Sequence, residues 1–340
     1  MRILLTGGAG YIGSHTTLTL LEHGHEIVIV DDLVNSKPSV LDRLEALAAT
    51  RIPLHVFDLR DEDRLDALFA QERLDAVMHC AGLKAVGDSV TRPLDYYRNH
   101  LDSTFSLLTA MARHGVSRLV FSSSATVYGE NAPLPCQEDH RPLSATSPYG
   151  QTKVMIEQLL TDVAAATDGL KVALLRYFNP VGAHPTGQLG EDPQGTPNNL
   201  MPFIAQVAVG RLDRLRIFGA DYPTKDGTGE RDYIHVMDVA TGHLRALEHL
   251  DAMPEPARAF NLGTGTATSV LQLLGAFERA CGRRLSHEVV PRRPGDVPAN
   301  LADPRRAHDE LGWRAVHGID RMCADTWRWQ SQNPTGYPDR

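Results

Sequence analysis

The chain has 340 residues, 42% of them apolar and 22% charged, with a formal net charge of −8. That length predicts about two domains with room for a sizeable core, and an acidic balance without a basic stripe argues against nucleic acid as a partner. No apolar run approaches a membrane span and Met1 to Thr6 is too short for a signal peptide's apolar region, so no membrane partner and a cytoplasmic location are expected.

Short aliphatic runs alternate with amphipathic segments through the first half. Strands are expected over Arg2 to Thr6, Glu26 to Asp31, Pro53 to Phe57, Asp75 to Cys80, Arg118 to Ser123 and Lys171 to Arg176. Helices are expected over Ile12 to His23, Ser39 to Ala49, Asp61 to Gln71, Pro93 to Arg113 and Pro148 to Ala166. This alternation implies right-handed crossovers and a parallel sheet covered on both faces, an α/β fold with a Rossmann-type doubly wound sheet. After Arg176 the texture changes. Residues 179–233 are rich in Pro, Gly, Asn and Asp, with a helical stretch from Met201 to Gly210 and a short strand from Leu215 to Phe218. A helix–strand pair from Val236 to Leu262 returns to the sheet, and residues 264–340 resume the loop-rich texture. The expected division is a sheet domain of 1–177 plus 234–262, and a smaller, discontinuous α/β ligand-binding domain of 178–233 plus 263–340.

The first strand runs into Thr6-Gly7-Gly8-Ala9-Gly10-Tyr11-Ile12-Gly13 and then a helix. Glycines Gly7, Gly10 and Gly13 in that context permit a tight turn and let a pyrophosphate reach the N–H groups at Tyr11 and Ile12, where the helix dipole favours negative charge. Asp31 and Asp32 end the second strand, where a carboxylate accepts from a ribose 2′-hydroxyl and repels a 2′-phosphate, so NAD is favoured over NADP. Asp58-Leu59 closes the third strand at a position suited to adenine, and Cys80-Ala81-Gly82-Leu83-Lys84 closes the fourth with small residues past which a dinucleotide can run.

Tyr149 and Lys153 are four residues apart on a predicted helix and therefore share a face; Ser124 ends the Ser122-Ser123-Ser124 strand. A unit positive charge about 6 Å away, at an effective dielectric of about 20, contributes roughly 2.8 kcal/mol and lowers a phenol's pKa by about 2. With Lys153 as one cation and an oxidised nicotinamide as a second, Tyr149 becomes a base accessible near neutral pH. Lysine is scarce, with only Lys37, Lys84, Lys153, Lys171 and Lys225, which singles out Lys84 and Lys153 inside motifs and leaves the other three without an assigned role. Cys80, Cys136, Cys281 and Cys323 lack Cys-x-x-Cys spacing and the 15 histidines include no His-Glu-x-x-His, so reduced thiols and no metal are expected.

The joint order of glycine loop, Ser124, Tyr149 and Lys153 resembles the extended short-chain dehydrogenase/reductases, and within them the UDP-glucose 4-epimerases, over essentially the whole chain. The resemblance is carried by Gly82 to Gly87, Ser122 to Gly129, Arg176 to His184, Pro197 to Pro202 and Asp226 to Val236. It implies C4 epimerisation of UDP-glucose and UDP-galactose through a transient 4-keto sugar, with Tyr149 as proton acceptor, Ser124 on the C4 oxygen and Lys153 on the nicotinamide ribose. It further implies cofactor contacts from Asn35, Ser36, Lys84, Asn99, Ser122, Tyr177 and Phe178. Substrate contacts would come from Lys84, Asn179, Asn199, Leu200, Arg216, Ile217, Phe218, Asp296 and the diphosphate clamps Arg231 and Arg293. Asn300 stands where the familiar bacterial pattern, following Gly295 and Asp296, has a pocket-closing tyrosine, which implies that UDP-GlcNAc and UDP-GalNAc are also admitted. Cys80 replaces an aromatic residue often found there. Homodimer formation through Pro93 to Arg113 and Pro148 to Ala166 is likewise implied. A nucleotide-sugar dehydratase is the nearest rival, but Ala125 and Thr126 follow Ser124 where its Asp-Glu pair would stand. A non-catalytic NAD-sensing regulator has no need of Tyr149 and Lys153.

Overall fold

The computed structural model describes residues 1–195, 197–293 and 296–339; Gly295 lies outside them. The first half reads β1 (Arg2–Thr6), α1 (Tyr11–Glu22), β2 (Glu26–Asp31), α2 (Ser39–Ala48), β3 (Leu54–Val56), α3 (Glu62–Glu72) and β4 (Ala76–His79). It continues with α4 (Val86–Thr91), α5 (Pro93–Tyr97), α6 (Ser103–Arg113), β5 (Arg118–Ser124), α7 (Pro148–Ala166) and β6 (Lys171–Tyr177). Then follow β7 (Asn179–Val181), α8 (Leu200–Ala208), β8 (Leu215–Phe218), β9 (Glu230–His235), α9 (Val236–His249) and β10 (Ala257–Leu262). The chain ends with β11 (Ala267–Ser269), α10 (Val270–Cys281), β12 (His287–Val290), β13 (Ala299–Asn300), α11 (Arg305–Leu311) and α12 (Ile319–Gln332).

Seven strands form one parallel sheet in the order β10-β6-β5-β4-β1-β2-β3. Period-two alternation sorts their side chains onto two cores: Ile3, Leu5, Ile27 and Ile29 pack with Leu18, Leu44, Val239 and Leu247 of α1, α2 and α9. Leu4, Val28 and Val30 pack on the other face with Leu65, Leu68, Met111, Ile156 and Leu160 of α3, α6 and α7. Burial on both faces is why these strands read as unbroken aliphatic runs. The chain order reverses direction across β1 and β4, the switch point where open α/β sheets bind ligands beyond their carboxyl ends.

The remaining strands make two small sheets. In one, β9 lies between β11 and β13 and also pairs with β7; in the other β8 pairs with β12. Their core joins Met201, Ile204, Leu215, Ile217, Tyr233, Leu273, Phe277 and Met322. Among the described residues no helix is long and apolar enough to cross a membrane.

One expected helix differs. Pro93 to Arg113 is interrupted by a single wide turn over Arg98–Asp102 with i→i+5 bonding. There the hydroxyls of Ser103 and Thr104 donate back to the carbonyls of Asn99 and His100, loosening the ordinary ladder. The turn presents Asn99 so that its Oδ1 accepts from the Leu83 N–H at 3.1 Å, at the mouth of the loop after β4.

Candidate active site

A single cleft of about 460 Å³ runs along the carboxyl edge of the large sheet and into the gap facing β8, β9 and α8. Nearly every site residue expected from sequence lines it. The glycine loop forms its floor. Gly7 adopts φ +70°, and a Cβ there would stand 2.7 Å from the Ala81 amide nitrogen, while one on Gly13 would stand 2.1 Å from the Gly7 carbonyl oxygen. Only glycine closes this turn against the loop after β4. Gly10 caps α1 without any side-chain acceptor, so the first-turn N–H groups of Tyr11, Ile12 and Gly13 remain for a ligand, as pyrophosphate requires.

Asp31 is buried, and burial raises its pKa above the ordinary carboxylate value. Its oxygens accept from the Ala9 and Leu33 N–H groups and from the Ser36 hydroxyl, so one carboxylate ties the glycine loop to the loop after β2. Asp32 is exposed and accepts from Val34 N–H. Asp58 is held by Arg60, whose hydrogen bond lowers the carboxyl pKa. Leu59, Cys80, Ala81, Gly82, Asn35, Tyr177 and Phe178 complete this half of the wall. The open glycine floor and the buried ribose-side carboxylate fit a dinucleotide.

At the junction of the two halves lie Ser124, Tyr149 and Lys153. Ser147 caps α7 by accepting from Gly150 N–H, Pro148 presets the first helical φ, and Tyr149 then sits in the first turn with Lys153 one turn on. The Lys153 Nζ lies 5.8 Å from the Tyr149 ring centre and 4.8 Å from that of Phe121, and donates to the Ser122 carbonyl at 3.0 Å. The phenol's pKa is nevertheless raised, by burial, with the Ser124 hydroxyl as hydrogen-bond partner pulling it back down. Burial also lowers the Lys153 ammonium from 10.5 to about 8. The lysine by itself therefore does not bring the phenol toward neutrality, and the expected phenolate needs the second cation, the oxidised nicotinamide, as well. Removing phenolate and ammonium together from water costs each of them more than their mutual attraction returns in the protein by itself.

Two expected residues do not line the cleft. Ser122 acts through its carbonyl on Lys153, while its hydroxyl donates to Cys80 Sγ and meets His243. Asn300 pairs in register with Arg231, and its side chain turns to Cys136, whose Sγ is 4.0 Å from Oδ1. Along a strand, alternate side chains point to opposite faces, which is what carries it away.

In the other half, Arg231 and Arg293 converge on Asp296, the former at 3.7 Å and the latter donating at 3.0 Å, and Arg293 stacks on Phe218 at 4.5 Å. Asn199 stands at the cap of α8 with its side chain making no bond to the first turn, its Nδ2 instead reaching Glu191 at 3.5 Å, which leaves the Leu200 end of that helix open to an anion. Asn179, Arg216 and Ile217 line the same half, Ile217 with its side chain in the core. Sequence reading missed Glu191, which takes the Lys84 ammonium at 2.8 Å across the mouth, and Tyr222, buried in the wall with an unpartnered hydroxyl. It also missed Lys37 and Tyr337. Lysine scarcity was a signal for Lys37; no local pattern marked the others.

The model of the NAD dependent epimerase/dehydratase family matches residues 3–263. The UDP-glucose 4-epimerase of Bacillus subtilis (strain 168) is 55% identical over 337 residues, covering 99% of this chain and 99% of that protein. The chain belongs to the UDP-glucose 4-epimerases of that family. The crystal structure of the UDP-glucose 4-epimerase from Bifidobacterium longum, in complex with NAD+ and UDP, superposes with a TM-score of 0.95 at 47% identity, covering 99% of this chain and 100% of that one. That from Stenotrophomonas maltophila, with bound NAD and formylated UDP-arabinopyranose, gives 0.95 at 50% identity over 98% of each chain.

Proposed function

We propose that the protein interconverts UDP-glucose and UDP-galactose by C4 epimerisation with NAD retained between turnovers. The observation that carries this reading is the Ser124–Tyr149–Lys153 cluster, its serine and lysine buried and its tyrosine half-buried, set where a dinucleotide floor meets an arginine-lined second half within one cleft. NAD, when bound, supplies a hydride acceptor and donor and a pyridinium charge beside the phenol. Gly7, Gly10, Gly13 and the start of α1 hold its pyrophosphate, and Asp31 its adenosine ribose.

Tyr149 as phenolate accepts the proton of the sugar 4-hydroxyl as C4 gives up its hydride, and a 4-keto sugar results. Ser124 donates to the C4 oxygen and relays the proton. Lys153 steadies the phenolate's charge and holds the nicotinamide ribose. Arg231, Arg293 and the N-terminus of α8 keep the diphosphate while the keto sugar turns over, after which C4 regains hydride on its other face and Tyr149 returns the proton. Net redox is zero. Ala125 and Thr126 after Ser124 carry no acid–base pair, which disfavours dehydration.

Acceptance of UDP-GlcNAc and UDP-GalNAc belongs to the same proposal, supported by the short Asn300 lying outside the cavity wall. A homodimer is supported by Val90, Leu94, Phe105 and Met155, apolar side chains exposed on α4, α5, α6 and α7. We also place the protein in the cytoplasm and divide it as the sequence predicts, into 1–177 plus 234–262 and 178–233 plus 263–340.

Purified protein is expected to convert UDP-galactose to UDP-glucose without added NAD, and Tyr149→Phe to lose nearly all turnover while retaining NAD. Wild-type protein inert toward UDP-galactose with NAD supplied would overturn the reading, and UDP-GlcNAc left unconverted by active enzyme would remove the N-acetyl extension. A monomer at micromolar concentration on size exclusion would remove the dimer.

A further inference from the structure

The wall of the dinucleotide half is closed by a segment about 300 residues away in sequence. Beyond α12 the chain turns at Asn333, and residues 333–339 run back across the loop after β2. Lys37 Nζ donates to the Tyr337 carbonyl at 2.8 Å and pairs with Asp339 at 2.8 Å and Asp192 at 3.7 Å. The Ser39 hydroxyl donates to the Pro338 carbonyl at 2.8 Å. Tyr337 is buried, its N–H donates to Asp192 Oδ2 at 2.9 Å, and its hydroxyl accepts from the Gly190 N–H at 3.0 Å. Gly336 adopts φ +84°, and a Cβ there would stand 2.1 Å from Asp192 Oδ1, so the tail must carry glycine to lie this close to the loop of 187–192. Arg43 donates to Asn333 Oδ1 and to the Gln188 carbonyl, and its guanidinium covers the rings of Trp329 and Tyr337.

The loop of 187–192 then reaches the opposite bank. Glu191 takes the Lys84 ammonium at 2.8 Å, and Lys84 stands on the loop after β4. Lys37, Tyr337, Asp192, Glu191 and Lys84 all line the cleft. The contacts therefore form a continuous belt: loop after β2, C-terminal tail, loop 187–192, loop after β4. The two outer members of that belt are the very loops that follow Asp31 and carry Gly82.

We infer that the C-terminal segment 333–339 is a buckle that holds this belt shut over the dinucleotide, with Lys37 and Tyr337 as positioning residues that slow NAD release. The inference rests on the proposed NAD-retaining reaction. It gives Lys37 a physical role: a compact ammonium reaches one carbonyl and two carboxylates at once, where a planar guanidinium would have to splay. It also accounts for a tail of small and polar residues that buries a tyrosine under an arginine rather than fraying. The Asp339 partner of Lys37 is almost fully exposed, so that ion pair adds little and most of the hold comes from the buried Tyr337 and its bonds to Asp192 and Gly190.

The test is exchange of bound NAD against isotopically labelled NAD in the full-length protein, read by mass spectrometry of the released nucleotide. Lys37→Ala and a chain ending at Gly336 are each expected to exchange about tenfold faster or more than wild type, with Lys37→Arg partly restoring retention. In the fast-exchanging variants turnover of UDP-galactose comes to depend on added NAD, and saturating NAD restores kcat. Wild-type exchange rates in the truncated chain, with its circular dichroism unchanged, overturn the buckle. So does fast exchange in Lys37→Ala alone, which would assign Lys37 to direct contact with the dinucleotide. Should the truncated chain not fold, hydrogen exchange of wild type decides: the Tyr337 amide must exchange more slowly in the NAD-loaded protein than in protein stripped of its NAD, and equal rates overturn the inference. Wild-type protein that binds no NAD fails the proposed function instead.

Discussion

Lys153→Met separates the lysine's catalytic worth from its cost to the fold. The ammonium is buried, and burial lowers its pKa from 10.5 to about 8. At about 1.4 kcal/mol per pKa unit, keeping it charged costs the folded protein about 3 kcal/mol. The sign follows from the direction: between pH 8 and 10.5 the unfolded chain holds a proton that the folded chain has released, so stability rises with pH across that window. Below pH 8 both states are protonated and the penalty is constant. Methionine carries no such penalty, but it leaves the Ser122 carbonyl without its donor, worth about 1–3 kcal/mol. The two effects nearly cancel at pH 7, so the pH dependence is the quantity to read. Urea unfolding of both chains at pH 7 and pH 10, followed by circular dichroism, is expected to show wild type gaining about 2 kcal/mol over Lys153→Met across that interval. Buried thiols and phenols remote from Lys153 titrate alike in both chains and drop out of the difference, and the Cys80 thiol, pushed up to about 11 by burial, stays mainly protonated through pH 10 in both. Turnover of UDP-galactose by Lys153→Met falls roughly 10²- to 10⁴-fold. Equal pH slopes in the two chains would refute the reasoning, because they would mean that Lys153 is not carried into the fold as a penalised cation.

Gly13→Ala places a Cβ 2.1 Å from a backbone oxygen that cannot move aside, so NAD content measured after denaturation should fall about tenfold or more. Glu157→Gln leaves the buried Arg176 guanidinium without its counter-charge and weakens the bond from Ser123; a loss of about 3–5 kcal/mol is expected, seen as a fall of about 4–7 °C in Tm by calorimetry. Arg293→Ala removes a half-exposed cation stacked on Phe218, and isothermal titration should show UDP binding weakened about tenfold with circular dichroism unchanged.

The glycine loop, the acid at the end of β2 and the Tyr149–Lys153 pair were readable because each is written in a few consecutive residues whose spacing the helix or turn imposes. Strand positions in the large sheet were readable for a related reason: two buried faces demand aliphatic runs, and Ile3 to Leu5 or Val28 to Val30 can serve little else. The wide turn before α6 escaped notice because Pro93 to Arg113 keeps helical periodicity throughout. Only the competition between the Ser103 and Thr104 hydroxyls and the backbone ladder breaks it. That the Asn300 side chain turns to Cys136 was not readable, because a residue type says nothing of which face a two-residue strand presents.

The local code thus determined what chemistry this protein can attempt: a phosphate floor, a ribose acid, a phenol with a lysine one turn away. Tertiary packing decided the energetic terms on which it does so. Burial raises the phenol and depresses the ammonium, a π-like turn delivers Asn99, and Lys37 meets a tyrosine carbonyl 300 residues distant. Those outcomes depend on solvent exclusion and on distances between segments that share no neighbourhood in the chain. Hydrophobic periodicity specifies which face of an element is buried, and leaves open what it is buried against.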